Sequence, residues 1–577
     1  MLLLKSLLIL LLSREVYLNA GPRVKTPFGE YEGFEYGEAN VFLGIRYADV
    51  PGGNRRFEKP SIVKKETGLI NATAYGPSCY PWHRAGQFSK TMQYSEDCLF
   101  MNIMTPKIQS DQLFDVAVMI HGGGFDFGNA ADLGYKKLCD SLVKEGIVVV
   151  TIQYRVGFLG FLTTSDHTVP GNMGLWDATY SLYLIDSIIE HFGGAQDKIT
   201  IMGHSAGAAL AGALTLSPHS NYLFQRSIQM SGSIFNDFGI STTADTYSKI
   251  LAEKAGCSDK DSKVTIQCLK EKTIDELYDA MDQVEHLRKT YSGFMFTPRH
   301  DGDFFPAKLE SMIKKAQPKP TLVGLTEYES SFILYYPAMK RLATLSAEEI
   351  ATFDKHALET YIAERILPHE ETGRSGSAFR HHLFEFFVDR DAPTDRAPFE
   401  IKNKFYLERL TQLTSDIFIN IGVYHEMEMK RINEWPVYFY NLQYASPFLQ
   451  ETLPIKGATH CSEFIYFFNR FVLPEEKWTD KDKNAEKTLI DGFVHFIKNG
   501  SPSSPSQVWP KISASEPSIH LNIDGEGNSI KESYKPDNIN FWNKELPQKI
   551  GTGILTKTRI PSADLHKLHI EQEHTEL

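Results

Sequence analysis

The sequence is poor in cysteine, in chain-breaking residues and in positive charge, and each shortage excludes a class of protein. Its 577 residues include only 6 Cys, too few for a disulfide-dense scaffold. Glycine and proline, at 41 and 28 residues, are too scarce for a collagen-like or low-complexity chain. The formal net charge of −12 describes an acidic protein that repels phosphate backbones, so nucleic-acid binding is not expected.

Long hydrophobic runs are also lacking. After residue 20 no apolar run reaches 18 residues, and no transmembrane anchor is expected in the mature chain. Residues 1–20 combine Lys5, a Leu/Ile-rich run that ends at Leu12 and the small residue Ala20, which predicts a secretory signal peptide. The run is too short to cross a ~30 Å hydrocarbon core; a short uncleaved anchor is the alternative.

The C-terminal end of the chain also predicts the cellular localisation of the protein. Residues 551–577 form a polar tail that ends in His574-Thr575-Glu576-Leu577, a variant of the Lys-Asp-Glu-Leu retrieval signal. We therefore expect a protein of the endoplasmic-reticulum lumen with a retrieval receptor as partner; ordinary secretion is the alternative. Asn71-Ala72-Thr73 is a glycosylation sequon, and the sequon at Asn499 is weaker because Pro502 follows it.

Short β-branched runs alternate with helical patterns along most of the chain. The runs are almost continuously apolar, as in strands that helices cover on both faces. This alternation predicts an α/β fold with a large, mostly parallel, doubly wound sheet. No repeat or Pro/Ser-rich linker interrupts it, so residues 21–550 are expected to form one domain. The expected strands include Val116–Ile120, Ile147–Ile152, Ile199–Met202, Thr321–Val323 and Pro436–Tyr440, and the expected helices Trp176–His191 and Ala206–Leu216.

The sharpest local motif is Gly203-His204-Ser205-Ala206-Gly207, which joins a predicted strand to an Ala/Leu-rich predicted helix. This is the context of a nucleophile elbow, in which a tight turn raises a serine hydroxyl above the sheet. The flanking glycines are needed because larger side chains would collide with the strand or the helix. Ser205 is therefore the candidate nucleophile, and a plain turn is the alternative.

A second glycine motif supplies what a nucleophilic serine needs. His121-Gly122-Gly123-Gly124-Phe125 follows the predicted strand Val116–Ile120, as the oxyanion loop of lipases and esterases does. Glycine leaves the amide groups free to point at a developing oxyanion. The amides of Gly123, Gly124 and Ala206 are the candidate donors, each worth about 3 kcal/mol of barrier.

These motifs belong to an ordered series that resembles the type-B carboxylesterase family, which includes the cholinesterases, on the α/β-hydrolase fold. The resemblance extends from about Pro22 to Trp542 and includes Ser95-Glu96-Asp97-Cys98-Leu99 and Tyr154-Arg155-Val156-Gly157-Phe158. It implies a serine carboxylic-ester hydrolase that acts on small or lipophilic esters through an acyl-enzyme and needs no metal or other cofactor. With its terminal tetrapeptide, the chain is most similar to carboxylesterases retained in the endoplasmic reticulum.

The resemblance implies a Ser-Glu-His triad of Ser205, Glu329 and His460. The acid is identified by its distance from Gly324, the glycine that ends the preceding predicted strand. Glu329 is the matching position, and Glu327 is the alternative. His460 lies in Gly457-Ala458-Thr459-His460-Cys461-Ser462-Glu463, which is similar to the family motif Gly-x-x-His-x-x-Glu. In these roles Ser205 attacks, His460 transfers the proton and Glu329 orients the imidazole.

Scaffold residues follow from the same resemblance. It implies the ion pairs Arg56–Glu96 and Arg155–Asp177 and the disulfides Cys79–Cys98 and Cys257–Cys268. Cys139 and Cys461 are left over. Cys139 lies in an apolar pattern and is expected to be a buried thiol. Cys461 is expected to be only a small side chain beside the base; an oxidisable thiol that modulates activity is the alternative.

Departures from the cholinesterase pattern narrow the range of expected substrates. Cholinesterases carry Glu immediately before the nucleophile, and this chain has His204 there. They also carry a choline-binding Trp ten residues before the cysteine of Ser-Glu-Asp-Cys, and this chain has Phe88 at that position. Trp82 lies further upstream, so choline esters are not expected as the main substrate. Two other functions remain open: a non-catalytic adhesion or binding protein, and an esterase dedicated to one lipid or hormone ester. No feature predicts an oligomeric state.

Overall fold

A computed structural model gives the structure of this protein. It describes residues 21–49, 52–82, 92–107, 112–285, 294–335, 345–367, 369–451, 453–468 and 477–550. The predicted signal peptide, the predicted C-terminal tail with its retrieval signal, and Phe88 lie outside the described residues. In the ranges that are described, no helix combines the length and the apolar character needed to cross a bilayer.

An 11-stranded sheet forms the centre of the fold. Its strands, numbered along the chain, are Phe34–Tyr36 (β1), Ala39–Arg46 (β2), Phe100–Pro106 (β3), Phe114–Ile120 (β4), Ile147–Ile152 (β5), Gly194–His204 (β6), Arg226–Met230 (β7), Thr321–Thr326 (β8), Val437–Leu442 (β9), His520–Ile523 (β10) and Ser529–Lys531 (β11). The spatial order is β11-β10-β9-β8-β7-β6-β4-β5-β3-β2-β1. From β5 to β10 every pairing is parallel, whereas β1, β2, β3 and β11 pair antiparallel.

Helices connect and cover these strands. The α-helices are Lys136–Ser141 (α1), Gly157–Phe161 (α2), Met173–Ile188 (α3), Ala206–Leu216 (α4), Thr243–Lys254 (α5), Ser262–Glu271 (α6), Ile274–Glu285 (α7), Leu309–Lys315 (α8), Ser331–Tyr335 (α9), Ala347–Thr352 (α10), Lys355–Tyr361 (α11), His369–Leu383 (α12), Phe399–Ser415 (α13), Ile421–Ile432 (α14), Pro447–Gln450 (α15), Phe464–Phe467 (α16), Asp480–Asn499 (α17), Pro536–Asn540 (α18) and Leu546–Ile550 (α19). Short 3-10 helices lie at Gly53–Arg55, Ala131–Leu133, Val143–Glu145 and Ile189–Phe192, and π-helical turns at Ile362–Ile366, Phe384–Asp389, Asp416–Asn420 and Phe541–Glu545.

Three small sheets accompany the large one. They consist of Arg23–Thr26, Gly29–Glu32 and Leu69–Asn71; of Ala48–Asp49 with Ser61–Ile62; and of Ser78–Cys79 with Tyr94–Ser95.

The central strands are apolar on both faces because both faces are covered. In β4, Val116, Val118 and Ile120 pack into one core cluster, whereas Ala117 and Met119 pack into another. Side chains alternate between the faces of a strand, so the two clusters are the cores on opposite sides of the sheet. A third cluster, built mainly from helices between residues 334 and 421, forms a separate apolar core. This is the α/β fold that the alternating pattern predicts.

The observed strands contain the predicted ones, except that β9 starts at Val437, one residue after the predicted Pro436. The expected Ile199–Met202 lies inside β6, which continues to His204, and the expected Pro436–Tyr440 corresponds to β9. The expected helix Trp176–His191 is α3, which starts at Met173 and passes into a 3-10 turn after Ile188. The antiparallel edge was not predicted, because strand direction depends on the partner strand and leaves no local pattern.

Two ion pairs and two disulfides join distant segments. Arg155 and Asp177, with side chains 5% and 0% exposed, are joined at 2.7 Å, and the Asp177 carboxylate also accepts the Arg155 backbone N–H. Breaking such a buried pair costs about 3–5 kcal/mol. The pair Arg56–Glu96 and the disulfides Cys79–Cys98 and Cys257–Cys268 are present as the resemblance implies. Arg56 also donates to the carbonyls of Leu269 and Lys272, beside the second disulfide.

Cys139 lies on α1 as a buried thiol outside the disulfides, in the state that the apolar pattern predicts. Burial raises its pKa to about 12, because the interior disfavours the charged thiolate. This thiol is therefore chemically inert at neutral pH.

Candidate active site

Ser205 lies in a strained turn between β6 and α4. Its backbone has φ 58° and ψ −124°, a conformation that residues with a side chain rarely adopt. The turn is held at both ends. The Ser205 N–H donates to the Met230 carbonyl at 2.8 Å, and the Ser205 carbonyl accepts from the amides of Ala208 and Ala209. Strand, serine and helix are thus arranged as in a nucleophile elbow.

The glycines of the motif are required by close packing. A Cβ on Gly203 would lie 2.1 Å from the Gly207 carbonyl oxygen, and a Cβ on Gly207 would lie 2.3 Å from the Ile120 carbonyl oxygen. Both distances are shorter than the non-bonded contacts that Cβ atoms make in proteins. Both also involve backbone atoms, which cannot move aside as a flexible side chain can. The sharp turn at Ser205 therefore depends on the absence of both side chains.

The glycine loop after β4 packs directly against this turn. A Cβ on Gly122 would lie 3.0 Å from the Ser205 Cβ. Gly123 and Gly124 have φ of 122° and 64°, which glycine adopts without strain. Among the hydrogen bonds of the described residues, none is donated by the amides of Gly123, Gly124 or Ala206. The amides of this glycine loop, which packs against the Ser205 turn, are groups that can donate to a negatively charged oxygen.

Glu329 and His460 meet through a short hydrogen bond. Glu329 follows β8 and is fully buried, and its Oε2 lies 2.8 Å from Nδ1 of His460, which is 8% exposed. The His460 backbone N–H also donates to the Glu329 carbonyl at 3.3 Å. A carboxylate on Nδ1 leaves Nε2 as the ring nitrogen that can exchange a proton.

The alternative acid, Glu327, has different partners. Its carboxylate accepts from the side-chain amides of Asn441 at 3.3 Å and Gln443 at 3.0 Å. The structure therefore brings Glu329, and not Glu327, against the imidazole.

Two partners of Glu329 were missed by sequence reasoning. The Ser231 hydroxyl and the Thr326 N–H both donate to its Oε1, each at 2.7 Å. Ser231 follows β7 with φ 52°, a backbone state that Ser231-Gly232 does not reveal in sequence. With the His460 bond the carboxylate has three hydrogen-bond partners, so both of its buried oxygens are satisfied.

Ser205 and His460 line one cavity, and its wall is largely aromatic and aliphatic. The apolar lining residues are Phe127, Leu133, Phe294, Phe332, Ile333 and Phe464; the glycine loop, His204 and Cys461 complete it together with a few polar side chains. In the described part of the chain the Ser205 hydroxyl has no hydrogen-bond partner, and such catalytic bonds often form only around a substrate. The cavity can accept an apolar group next to the serine.

The chain matches a family model described as the carboxylesterase family over residues 20–542. Gut esterase 1 of Caenorhabditis briggsae is 34% identical over 91% of this chain and 92% of its own length. Carboxylesterase 5A of Mus musculus is 30% identical over 88% of this chain and 85% of its own length. Cocaine esterase of Homo sapiens is 28% identical over 88% of both chains.

A second buried acid, Glu463, lies close to Glu329. Burial and the nearby Glu329 charge raise the pKa of Glu463 to about 8. Among the described residues its only side-chain hydrogen-bond partner is the Tyr440 hydroxyl, at 3.3 Å. Two adjacent buried carboxyls cannot both ionise cheaply. With its pKa raised to about 8, Glu463 is mainly protonated at neutral pH.

The neutral state of Glu463 predicts a pH dependence of stability. Its folded-state pKa lies above the ordinary value of 4.5, so the stability that the neutral acid contributes is complete below pH 4.5 and is lost as pH rises towards 8. Glu463→Gln cannot ionise and keeps the shape. We expect its melting temperature to fall less than that of the wild type between pH 5 and pH 8.

The measurement is thermal unfolding of both proteins at several pH values, with the exposed Glu348→Gln as a control that keeps the wild-type slope. Between pH 5 and pH 8 the free energy of unfolding of the wild type should fall by a few kcal/mol more than that of Glu463→Gln, because one pKa unit corresponds to about 1.4 kcal/mol. Parallel curves for wild type and Glu463→Gln would show that Glu463 is already ionised.

Proposed function

This chain belongs to the carboxylesterase family and is a carboxylic-ester hydrolase on the α/β-hydrolase fold; we propose that Ser205, Glu329 and His460 carry out its reaction. The observation that supports this proposal most is the Glu329–His460 hydrogen bond, which orients the imidazole in the cavity wall that also contains Ser205. An adhesion protein of this fold would have no use for a strained serine turn with three amide donors beside it.

The first half-reaction forms an acyl-enzyme. Nε2 of His460 takes the Ser205 proton as Oγ attacks the ester carbonyl, and the negative charge moves to the carbonyl oxygen. The amides of Gly123, Gly124 and Ala206 stabilise that oxyanion. Glu329 keeps the proton on Nδ1 and stabilises the imidazolium, which then protonates the leaving alcohol. Water repeats the sequence on the acyl-enzyme, and the carboxylic acid leaves.

The cavity supports small or lipophilic carboxylic esters as substrates. Its aromatic and aliphatic wall favours an apolar acyl or alcohol group, because such a group gains about 25 cal/mol for each Å² it buries. His204 stands before the nucleophile, where cholinesterases carry an acid. The proposal therefore does not include choline esters as the main substrate.

Ser205→Ala should abolish covalent labelling by a fluorophosphonate probe and lower ester turnover by roughly 10⁶-fold, because no other group supplies the nucleophile. Alanine fits the turn, so folding should be preserved and circular dichroism should match the wild type. Turnover is measured with p-nitrophenyl esters of increasing acyl length. Labelling that persists in the variant would place the nucleophile elsewhere.

Glu329→Gln should lower turnover by about 10⁴-fold, because an amide cannot hold His460 in the required tautomer. Glu327→Gln is the matched control, since the same chemical change is made at an acid whose partners are Asn441 and Gln443. Its turnover should stay within tenfold of the wild type. If Glu327→Gln is the more damaging variant, the acid has been assigned to the wrong residue.

We also propose that the protein enters the secretory pathway, carries a glycan at Asn71 and is retained in the endoplasmic-reticulum lumen. Two disulfides support an oxidising compartment. Asn71 is exposed, and its Oδ1 accepts the Thr73 hydroxyl at 2.7 Å, so the sequon is accessible at the surface. The candidate signals at the two ends of the sequence complete this support.

Deletion of residues 574–577 should shift esterase activity from the cell lysate into the medium without loss of specific activity, because a receptor reads only the terminal tetrapeptide. The measurement is p-nitrophenyl ester hydrolysis in both fractions for the full-length and deleted chains. Replacement of the four residues by Lys-Asp-Glu-Leu is the control that should restore retention. Equal partitioning of the full-length and deleted chains would identify an ordinary secreted esterase.

A further inference from the structure

Cys461 directly follows the proposed base in the chain and has no role in the ester-hydrolase mechanism. It lines the cavity and is partly exposed. Its backbone has φ 72°, a left-handed conformation that glycine adopts freely and that costs other residues about 1–2 kcal/mol. A residue kept in a strained conformation beside reacting groups indicates a role for its side chain.

Cys461 belongs to a cluster of three side chains of the types that bind metal ions. One ligand atom each from His204, His460 and Cys461 lies within 4.8 Å of the other two. The two imidazole rings have centroids 4.5 Å apart and are tilted by 44°. Both histidines are buried, and His204 also packs edge-on against Phe464 at 4.5 Å. The cluster is therefore held in place by the cavity wall rather than by a mobile surface.

Two imidazoles and one thiolate are ligands that Zn²⁺ prefers. Bonds of ~2.0–2.1 Å to nitrogen and ~2.3 Å to sulfur at tetrahedral angles place the ligand atoms about 3.3–3.6 Å apart. Since no separation exceeds 4.8 Å, side-chain rotations that bring the ligand atoms closer by at most ~1.5 Å give this geometry. The open side of the cavity leaves a fourth position for water.

Glu329 completes the arrangement. Because its carboxylate is bonded to Nδ1 of His460 at 2.8 Å, Nε2 is the nitrogen available to a metal. A carboxylate behind a ligating histidine is the outer-sphere partner that zinc sites commonly have, since it fixes the ring and raises its basicity.

We propose that His204, His460 and Cys461 form a Zn²⁺ site that inhibits the enzyme. On binding, the Cys461 thiol releases one proton to solvent and its thiolate coordinates the ion; the two neutral imidazoles coordinate through their lone pairs, and no electron is transferred. Zinc then occupies the Nε2 lone pair that would accept the Ser205 proton. The inhibition rests on the proposed role of His460, whereas the metal site itself does not.

The test compares wild type, Cys461→Gly and Cys139→Ala in zinc-buffered solution with p-nitrophenyl ester hydrolysis as the readout. Cys461→Gly suits the left-handed backbone, and the zinc inhibition of each variant is measured relative to its own metal-free rate. Its inhibitory zinc concentration should rise at least ~10-fold, because even outer-sphere partners of zinc contribute 10–100-fold to affinity. Cys139→Ala removes the other thiol and should be inhibited like the wild type.

A second readout is independent of catalysis. Co²⁺ bound to the wild type should give a thiolate-to-cobalt charge-transfer absorption at one ion per chain; this band should be absent in Cys461→Gly and present in Cys139→Ala. Equal zinc inhibition of wild type and Cys461→Gly, or no cobalt–thiolate band in the wild type, overturns the proposal. A band that depends on Cys461, together with unimpaired hydrolysis, supports the metal site and instead overturns the role of His460 as the base.

Discussion

The site depends on the hydrogen bonds of one carboxyl group in the interior of the protein. Glu329 is fully buried, and a buried polar group is tolerated only when donors replace the water it loses. Three donors do so here: the Ser231 hydroxyl after β7, the Thr326 amide at the end of β8 and the His460 ring. The same contacts join three segments at the carboxyl edge of the sheet. The hydrogen bonds that satisfy the buried carboxyl group therefore also fix the geometry of the site.

The neutral Glu463 is the counterpart of that arrangement. Its raised pKa follows from burial and from the Glu329 charge, and a second negative charge at this place would compete for the imidazolium. Glu463 follows His460 by three residues, so one short segment carries both the proposed base and this protonated acid.

Close packing of backbone holds the proposed nucleophile in place. Gly203, Gly207 and Gly122 each leave less room than a methyl group needs, so β6, α4 and the loop after β4 meet around Ser205. Cys461 resembles Ser205 in the same cavity, because both have a side chain on a backbone with positive φ. The inferred zinc site gives this conformation of Cys461 a chemical reason, since it joins the proposed base to a residue that the hydrolytic mechanism does not need.

The amino-acid sequence by itself determined the α/β class, the strand–Ser205–helix turn and the glycine loop, because each is a local pattern set by side-chain size and alternation. Resemblance in sequence also pointed to Glu329, His460 and both disulfides. Only the tertiary structure decided that Glu329, and not Glu327, contacts the imidazole, that Ser231 and Thr326 support it, and that His204 and Cys461 lie together beside His460. These contacts join residues far apart in the chain, and their distances are set by strand order and packing, which leave no local trace in the sequence.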